Sequence, residues 1–110
     1  MVVAYLLLAL AIVCEVIGTL ALKMSEGFTK IVPTIFVVLG YLGAFISLGL
    51  GLSKGLSMGV AYGIWAGAGT ALVAIAGIVL FKEQINVWGF VGIGFIIAGV
   101  VLLEMNSSHA

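Results

Sequence analysis

The sequence contains no arginine and no aspartate, and only one cysteine, one proline and one histidine among 110 residues. Four lysines balance four glutamates, so the chain lacks the basic footprint of a nucleic-acid binder, and soluble acidic partners are not implied. The single thiol, Cys14, excludes an internal disulfide and leaves a metal site without a ligand set. It is expected to pack as a small apolar side chain. His109 lies in the polar tail NSSHA and is expected to be solvated, without a role. Charged residues make up 7% of the chain and hydrophobic ones 65%, with a mean hydropathy of +1.45. Soluble domains carry roughly 45–50% apolar residues, so this is the composition of a membrane protein. The N-terminus has neither a basic leader nor a small-residue cleavage site, and its apolar run exceeds a signal-peptide core, so the first helix is expected to be retained.

Four apolar stretches, about residues 3–22, 33–52, 57–81 and 87–103, are separated by the few charged clusters, and each is long enough to cross a hydrocarbon layer of about 30 Å as a helix. They predict an all-α membrane protein: one domain over residues 1–110, a four-helix bundle whose short loops make sequential helices antiparallel neighbours. Pro33 suits the first turn of the second helix. Lys54 stands alone on the side of the termini, whereas Lys23, Lys30 and Lys82 share the other. That bias is too weak to choose an orientation. No internal repeat supplies an inverted half, and a second copy of the chain could provide that symmetry.

The first stretch, VAYLLLALAIVCEVIGTLAL, places Glu15 among uncharged neighbours. An ionisable side chain there costs about 2.5–3.5 kcal/mol on insertion scales and marks an ion or substrate pathway by default. Leu8, Ala11, Ile12, Gly18, Thr19 and Leu22 share its helical face, which leaves room and one hydroxyl beside the carboxyl. Lys23 lies two turns away, too far for a direct pair. With no fixed cation beside it, burial disfavours the ionised form, and Glu15 is expected to exchange a proton. The plain structural alternative is a protonated side chain tying two helices together by a hydrogen bond.

Gly59, Gly63 and Gly67 recur at every fourth position, continued by Ala71, as small residues do where helices approach closely in lipid. With Gly69 they also weaken the helix, so bending and close packing both remain open. Tyr62 and Trp65 share a face; beside a carboxylate they would attract organic cations at about 0.5–2 kcal/mol per contact. Trp88 reads as an interfacial anchor, and Tyr5 is open to the same reading. The second helix has a small stripe, Gly40, Ala44, Ser47 and Gly51, next to a larger one, Tyr41, Phe45, Leu48 and Leu52, which either lines a pocket or meets lipid. Gly92 and Gly99 form a packing seam on the fourth helix, whose core holds no ionisable residue.

Taken together, Glu15-Val16-Ile17-Gly18-Thr19 with Leu22-Lys23, Ser25-Glu26-Gly27-Phe28-Thr29 with Pro33, and the run from Gly59 through Tyr62 and Trp65 to Gly69 resemble the small multidrug resistance family, and within it the EmrE-like quaternary ammonium subtype. The similarity covers nearly the whole chain. It implies an antiparallel homodimer, or a paired heterodimer, in the bacterial inner membrane, exchanging protons for small organic cations without a cofactor or metal. Carried onto this sequence, the shared proton and cation site is Glu15, and the pocket comprises Tyr5, Ala11, Ile12, Gly18, Thr19, Tyr41, Phe45, Leu48, Tyr62 and Trp65. The hinge falls at Gly67 and Gly69, and the dimer contact at Gly92 and Gly99. Ser57 and Met58 depart from a frequent proline and small residue. Ala66 replaces a frequent Ser or Thr, and Gly18 stands where guanidinium exporters tend to have tryptophan, which argues for a roomier pocket.

These readings predict a proton-coupled antiporter for lipophilic cations. Export of guanidinium or polyamines, with or without a partner subunit, is the alternative within the family; a small membrane assembly or regulatory protein is the alternative outside it. An enzyme is disfavoured, since no second catalytic group accompanies Glu15.

Overall fold

A computed structural model describes residues 2–106, and His109 lies outside that range. Four helices account for nearly all of it: α1 (Val2–Met24), α2 (Ile31–Ser53), α3 (Met58–Phe81) and α4 (Val87–Met105). All four are long and apolar enough to cross a membrane. Among the described residues there is no strand. α1 and α4 run two residues further than the apolar stretches suggest, taking in Lys23, Met24, Glu104 and Met105. Backbone hydrogen bonding carries a helix into the polar interface; loss of hydrophobicity alone does not end it.

The helix ends follow local chemistry. Pro33 occupies the third position of α2, where its missing N–H removes no intrahelical bond. Ser57, the departure noted at the entry to α3, is the N-cap, and its hydroxyl accepts from the Val60 N–H at 3.4 Å. Asn86 caps α4 through Gly89 N–H at 3.0 Å. At the α1–α2 turn, Glu26, Gly27 and Phe28 all take positive φ. Buried Ser25 holds that turn, its hydroxyl donating to Leu22 O at 2.7 Å and accepting from Phe28 N–H at 3.1 Å. Lys30 lies 2.8 Å from Glu26, and its hydrogen bond and charge hold that carboxyl below the usual carboxylate range.

Packing departs from the sequence-neighbour expectation at one connection. α1 packs along α2 and α3, and α4 packs on α3, but α2 and α3 touch only lightly. The lateral order is therefore α2, α1, α3, α4, a flat slab of 45 × 34 × 17 Å. Glycine decides the seams. A Cβ built at Gly40 would stand 2.9 Å from the Cys14 carbonyl and from the Gly18 backbone, and one at Gly51 would stand 3.3 Å from the Ala4 carbonyl. The small stripe of α2 is thus the α1–α2 contact. On α3, Gly63 receives Leu103 and Gly67 receives Val100, both from α4. Gly63 and Gly67 of the α3 stripe thus take part in the α3–α4 contact, no atom beyond the neighbouring backbone stands within 4 Å of a Cβ built at Gly59, and α3 is helical from Met58 to Phe81. Beneath the seams, Ala4, Leu8, Ala11, Ile12, Ala44, Leu48, Leu56, Ala61 and Trp65 form the buried core.

α4 has no buried residue. No atom beyond the neighbouring backbone of α4 lies within 4 Å of a Cβ built at Gly92 or Gly99, so the face these two share is uncovered at both positions in the single chain.

Lys23 pairs with Glu83 in the α3–α4 connection and stands 4.8 Å from the Phe81 ring centroid. Both charged side chains are about half exposed, at 52% and 50%, and pairs of that kind contribute about 0–1 kcal/mol. Lys23→Ala is accordingly expected to lower the detergent unfolding midpoint only slightly, by under about 1 kcal/mol. A loss several times larger would show that the pair anchors the loop.

Candidate functional site

The close crossing of α1 and α2 sets the geometry around Glu15. Because Gly40 has no side chain, the α2 backbone rests on Cys14 and Gly18. Tyr41, the next residue, lies over Gly18, where a built Cβ would meet its ring at 3.4 Å. Its hydroxyl lies 2.7 Å from Thr19 Oγ1, which is 2.9 Å from Glu15 Oε1. Thr19 has one hydroxyl hydrogen. When that hydrogen is given to Glu15, Tyr41 must donate to Thr19, so the two hydroxyls form a directed relay ending on one carboxylate oxygen.

The other oxygen is treated differently. Glu15 Oε2 is buried and has no hydrogen-bond partner. It faces Gly69 of α3, where a built Cβ would stand 3.1 Å away. An orphaned buried acceptor is costly, and a native one calls for an explanation. Glycine at 69 keeps the approach to Oε2 clear of side chain.

Glu15 stands in the wall of a cavity of about 540 Å³. α1 supplies Glu15 and Thr19, α2 supplies Tyr41 and Phe45, and α3 supplies Tyr62, Trp65, Ala66, Gly69, Thr70, Val73 and Ala74. Trp65 is buried, and two rings meet it edge to face: Phe45 with centroids 5.1 Å apart, and Tyr62 at 5.7 Å. Phe45 and Tyr62 are themselves well exposed, so this aromatic part of the wall is uncovered in the single chain. None of its lining residues is basic. A carboxylate in an apolar, aromatic-walled space suits an organic cation, which gains charge pairing and cation–π contact together. Among the described residues no cluster of potential ligands could hold a metal ion.

Six of the candidate pocket residues therefore share one cavity: Glu15, Thr19, Tyr41, Phe45, Tyr62 and Trp65. Ala11, Ile12 and Leu48 lie behind it in the core, and Gly18 lies under Tyr41. Gly69 lines the cavity, while Gly67 faces α4. Tyr5 is elsewhere: it precedes Glu15 by nearly three turns, about 15 Å along the helix, and donates to Glu104 of α4 at 3.0 and 3.2 Å. Thr70, Val73 and Ala74 also line the cavity and were not singled out in the sequence, although they continue the helical face of Tyr62 and Trp65 at the expected spacing. Lacking charge or aromaticity, they gave no signal but periodicity.

The family model described as Small Multidrug Resistance protein matches residues 3–96. The chain belongs to the small multidrug resistance family. It is 49% identical to the multidrug resistance protein EbrB of Bacillus subtilis over 96% of this chain and 89% of that protein. It is 47% identical to the quaternary ammonium compound-resistance protein QacE of Escherichia coli, over 94% and 93%. The multidrug resistance protein mmr of Mycolicibacterium paratuberculosis is 40% identical, over 96% and 98%. As a small multidrug resistance protein the chain is a transporter, not an enzyme, and a multi-pass protein of the bacterial plasma membrane. Ala66 lines the cavity with a methyl group.

Proposed function

We propose that this transporter exports lipophilic quaternary ammonium cations in exchange for protons, with Glu15 as the single group that both occupy in turn. The observation that carries this reading is the unpartnered Oε2 of Glu15 at the wall of an aromatic cavity. The names of QacE and EbrB support the cargo class. Ionised Glu15 holds a cation against Trp65, Tyr62 and Phe45, while the Tyr41–Thr19 relay steadies Oε1. A proton arriving at Oε2 cancels the charge that held the cargo. Each loading state then biases a two-state assembly between inward- and outward-facing forms, and the proton gradient sets the direction.

The assembly in this reading is an antiparallel dimer. The uncovered α4 face with Gly92 and Gly99 offers a close-packing seam, and the exposed Phe45 and Tyr62 rings are where a second chain would complete the cavity.

The test is proton release. Purified protein in weakly buffered detergent solution, titrated with a quaternary ammonium salt, should release protons in step with binding. Binding without any release at any pH sinks the exchange mechanism. Guanidinium and spermidine run in parallel decide the cargo class, since neither carries the apolar surface that these walls would bury.

A further inference from the structure

Two hydroxyls of the Glu15 cavity are already committed: Tyr41 and Thr19 lie 2.7 Å apart, and their relay ends on Oε1, 2.9 Å from Thr19. Thr70 of α3 also lines the cavity and takes no part in that relay. Its Oγ1 donates to the Ala66 carbonyl at 2.6 Å, the bond that a threonine makes back along its own helix. With its one hydrogen spent there, the hydroxyl has nothing left to give, yet it keeps lone pairs that accept. Thr70 is exposed in the single chain, and it directly follows Gly69, where α3 approaches Glu15 Oε2 so closely that a built Cβ would stand 3.1 Å away. Neighbouring positions of the wall thus carry a buried carboxylate oxygen without a donor and a hydroxyl oxygen that can only accept. Tyr62 brings a further hydroxyl, but its residue lies about 12 Å earlier along the helix axis, and its side chain leans further towards the N-terminus.

We infer that Thr70 sets the head-group preference of the transporter: besides quaternary cations the cavity takes protonated primary and secondary amines on aromatic bodies, whose N–H groups are divided between Glu15 Oε2 and Thr70 Oγ1. The inference deepens the Glu15 reading and rests on it. A quaternary head has no N–H, so charge and the Trp65, Tyr62 and Phe45 rings hold it, and Thr70 offers it contact alone. A primary ammonium brings three donors that lose water on entry, and a donor left there without an acceptor is costly. Glu15 Oε2 receives one and Thr70 the next. Thr70 leaves the charge and the proton of Glu15 untouched; it discriminates among cargoes.

The test compares two cations of one body, 2-naphthylmethylammonium and its N,N,N-trimethyl analogue, by isothermal titration in maltoside micelles at neutral pH, where both are charged. Thr70→Val keeps the size and removes the acceptor; it should weaken the primary amine about tenfold, the worth of one hydrogen bond to a charged group, and leave the quaternary salt within about twofold. Thr70→Ser should bind both as the wild type does. Equal weakening of the two cations would reduce Thr70 to a packing role and overturn the proposal, as would no change in either. Tyr62→Phe is run beside them: a loss confined to the primary amine there, with Thr70→Val unaffected, moves the acceptor to Tyr62 and overturns it too. Where the valine variant does not fold, Thr70→Ala replaces it with the same expectation. Failure of the quaternary salt to bind wild-type protein, or to release protons from it, counts against the exchange reading alone, because Thr70 is still judged by the primary amine on the valine and serine variants.

Discussion

Glu15→Gln abolishes proton release on cation binding and lowers affinity for a quaternary ammonium by about 100-fold or more. The substitution keeps the side chain's size and its acceptor towards Thr19 Oγ1, so packing changes little. What it removes is the negative charge at Oε2, and leaving a buried ion without its partner costs about 3–5 kcal/mol, which corresponds to two or more decades in Kd. Cation–π contact with Trp65 and Tyr62 remains, at about 0.5–2 kcal/mol each. It is too little to hold the cargo against its loss of hydration. Glu15→Asp, which keeps the charge on a shorter arm, should still bind the cation and still release protons. The comparison uses isothermal titration in two buffers of different ionisation enthalpy, with transport into vesicles under an imposed pH gradient. Cation export against a gradient by the glutamine variant would contradict the proposed mechanism.

How far the sequence revealed this site depended on the kind of signal each residue carries. Glu15 was visible because a charge within an apolar run has a high cost, and Trp65 and Tyr62 because deep aromatics on one face are unusual. Four spans were visible because a bilayer sets their length. What did not follow from the sequence was the partner of each face. The small stripe on α2 could be listed residue by residue, but only the folded chain shows that it meets Cys14 and Gly18 of α1. The α3 glycines divide by direction: Gly63 and Gly67 serve α4, whereas Gly69, two residues on, serves Glu15. Spacing had grouped Gly67 with Gly63, and it was the family resemblance that paired Gly67 with Gly69. Tyr5 shows the same limit. Its counterpart Glu104 is 99 positions away, and no local pattern connects an N-terminal tyrosine to a C-terminal glutamate.

Gly40→Ala is expected to damage both the fold and the site, although alanine is the better helix former. Replacing a mid-helix glycine ordinarily stabilises by about 1 kcal/mol. At Gly40 the new methyl would stand 2.9 Å from three atoms, the Cys14 carbonyl oxygen and the Gly18 nitrogen and Cα. All three are backbone, so no side chain can rotate away, and α2 must move off α1. Overpacking of this kind costs about 1–3 kcal/mol, which cancels or exceeds the propensity gain. The same displacement carries Tyr41, the adjoining residue, away from Thr19 and opens the 2.7 Å contact that begins the relay to Glu15. Gly49, on the same helix with no atom within 4 Å of a built Cβ, is the control, and Gly49→Ala should hold or raise the unfolding midpoint. Thermal unfolding in detergent ranks the three proteins, and cation titration of the folded fraction separates lost stability from a disturbed site. If Gly40→Ala proved as stable as Gly49→Ala and bound cations normally, the α1–α2 crossing could not be what positions Tyr41 against Thr19.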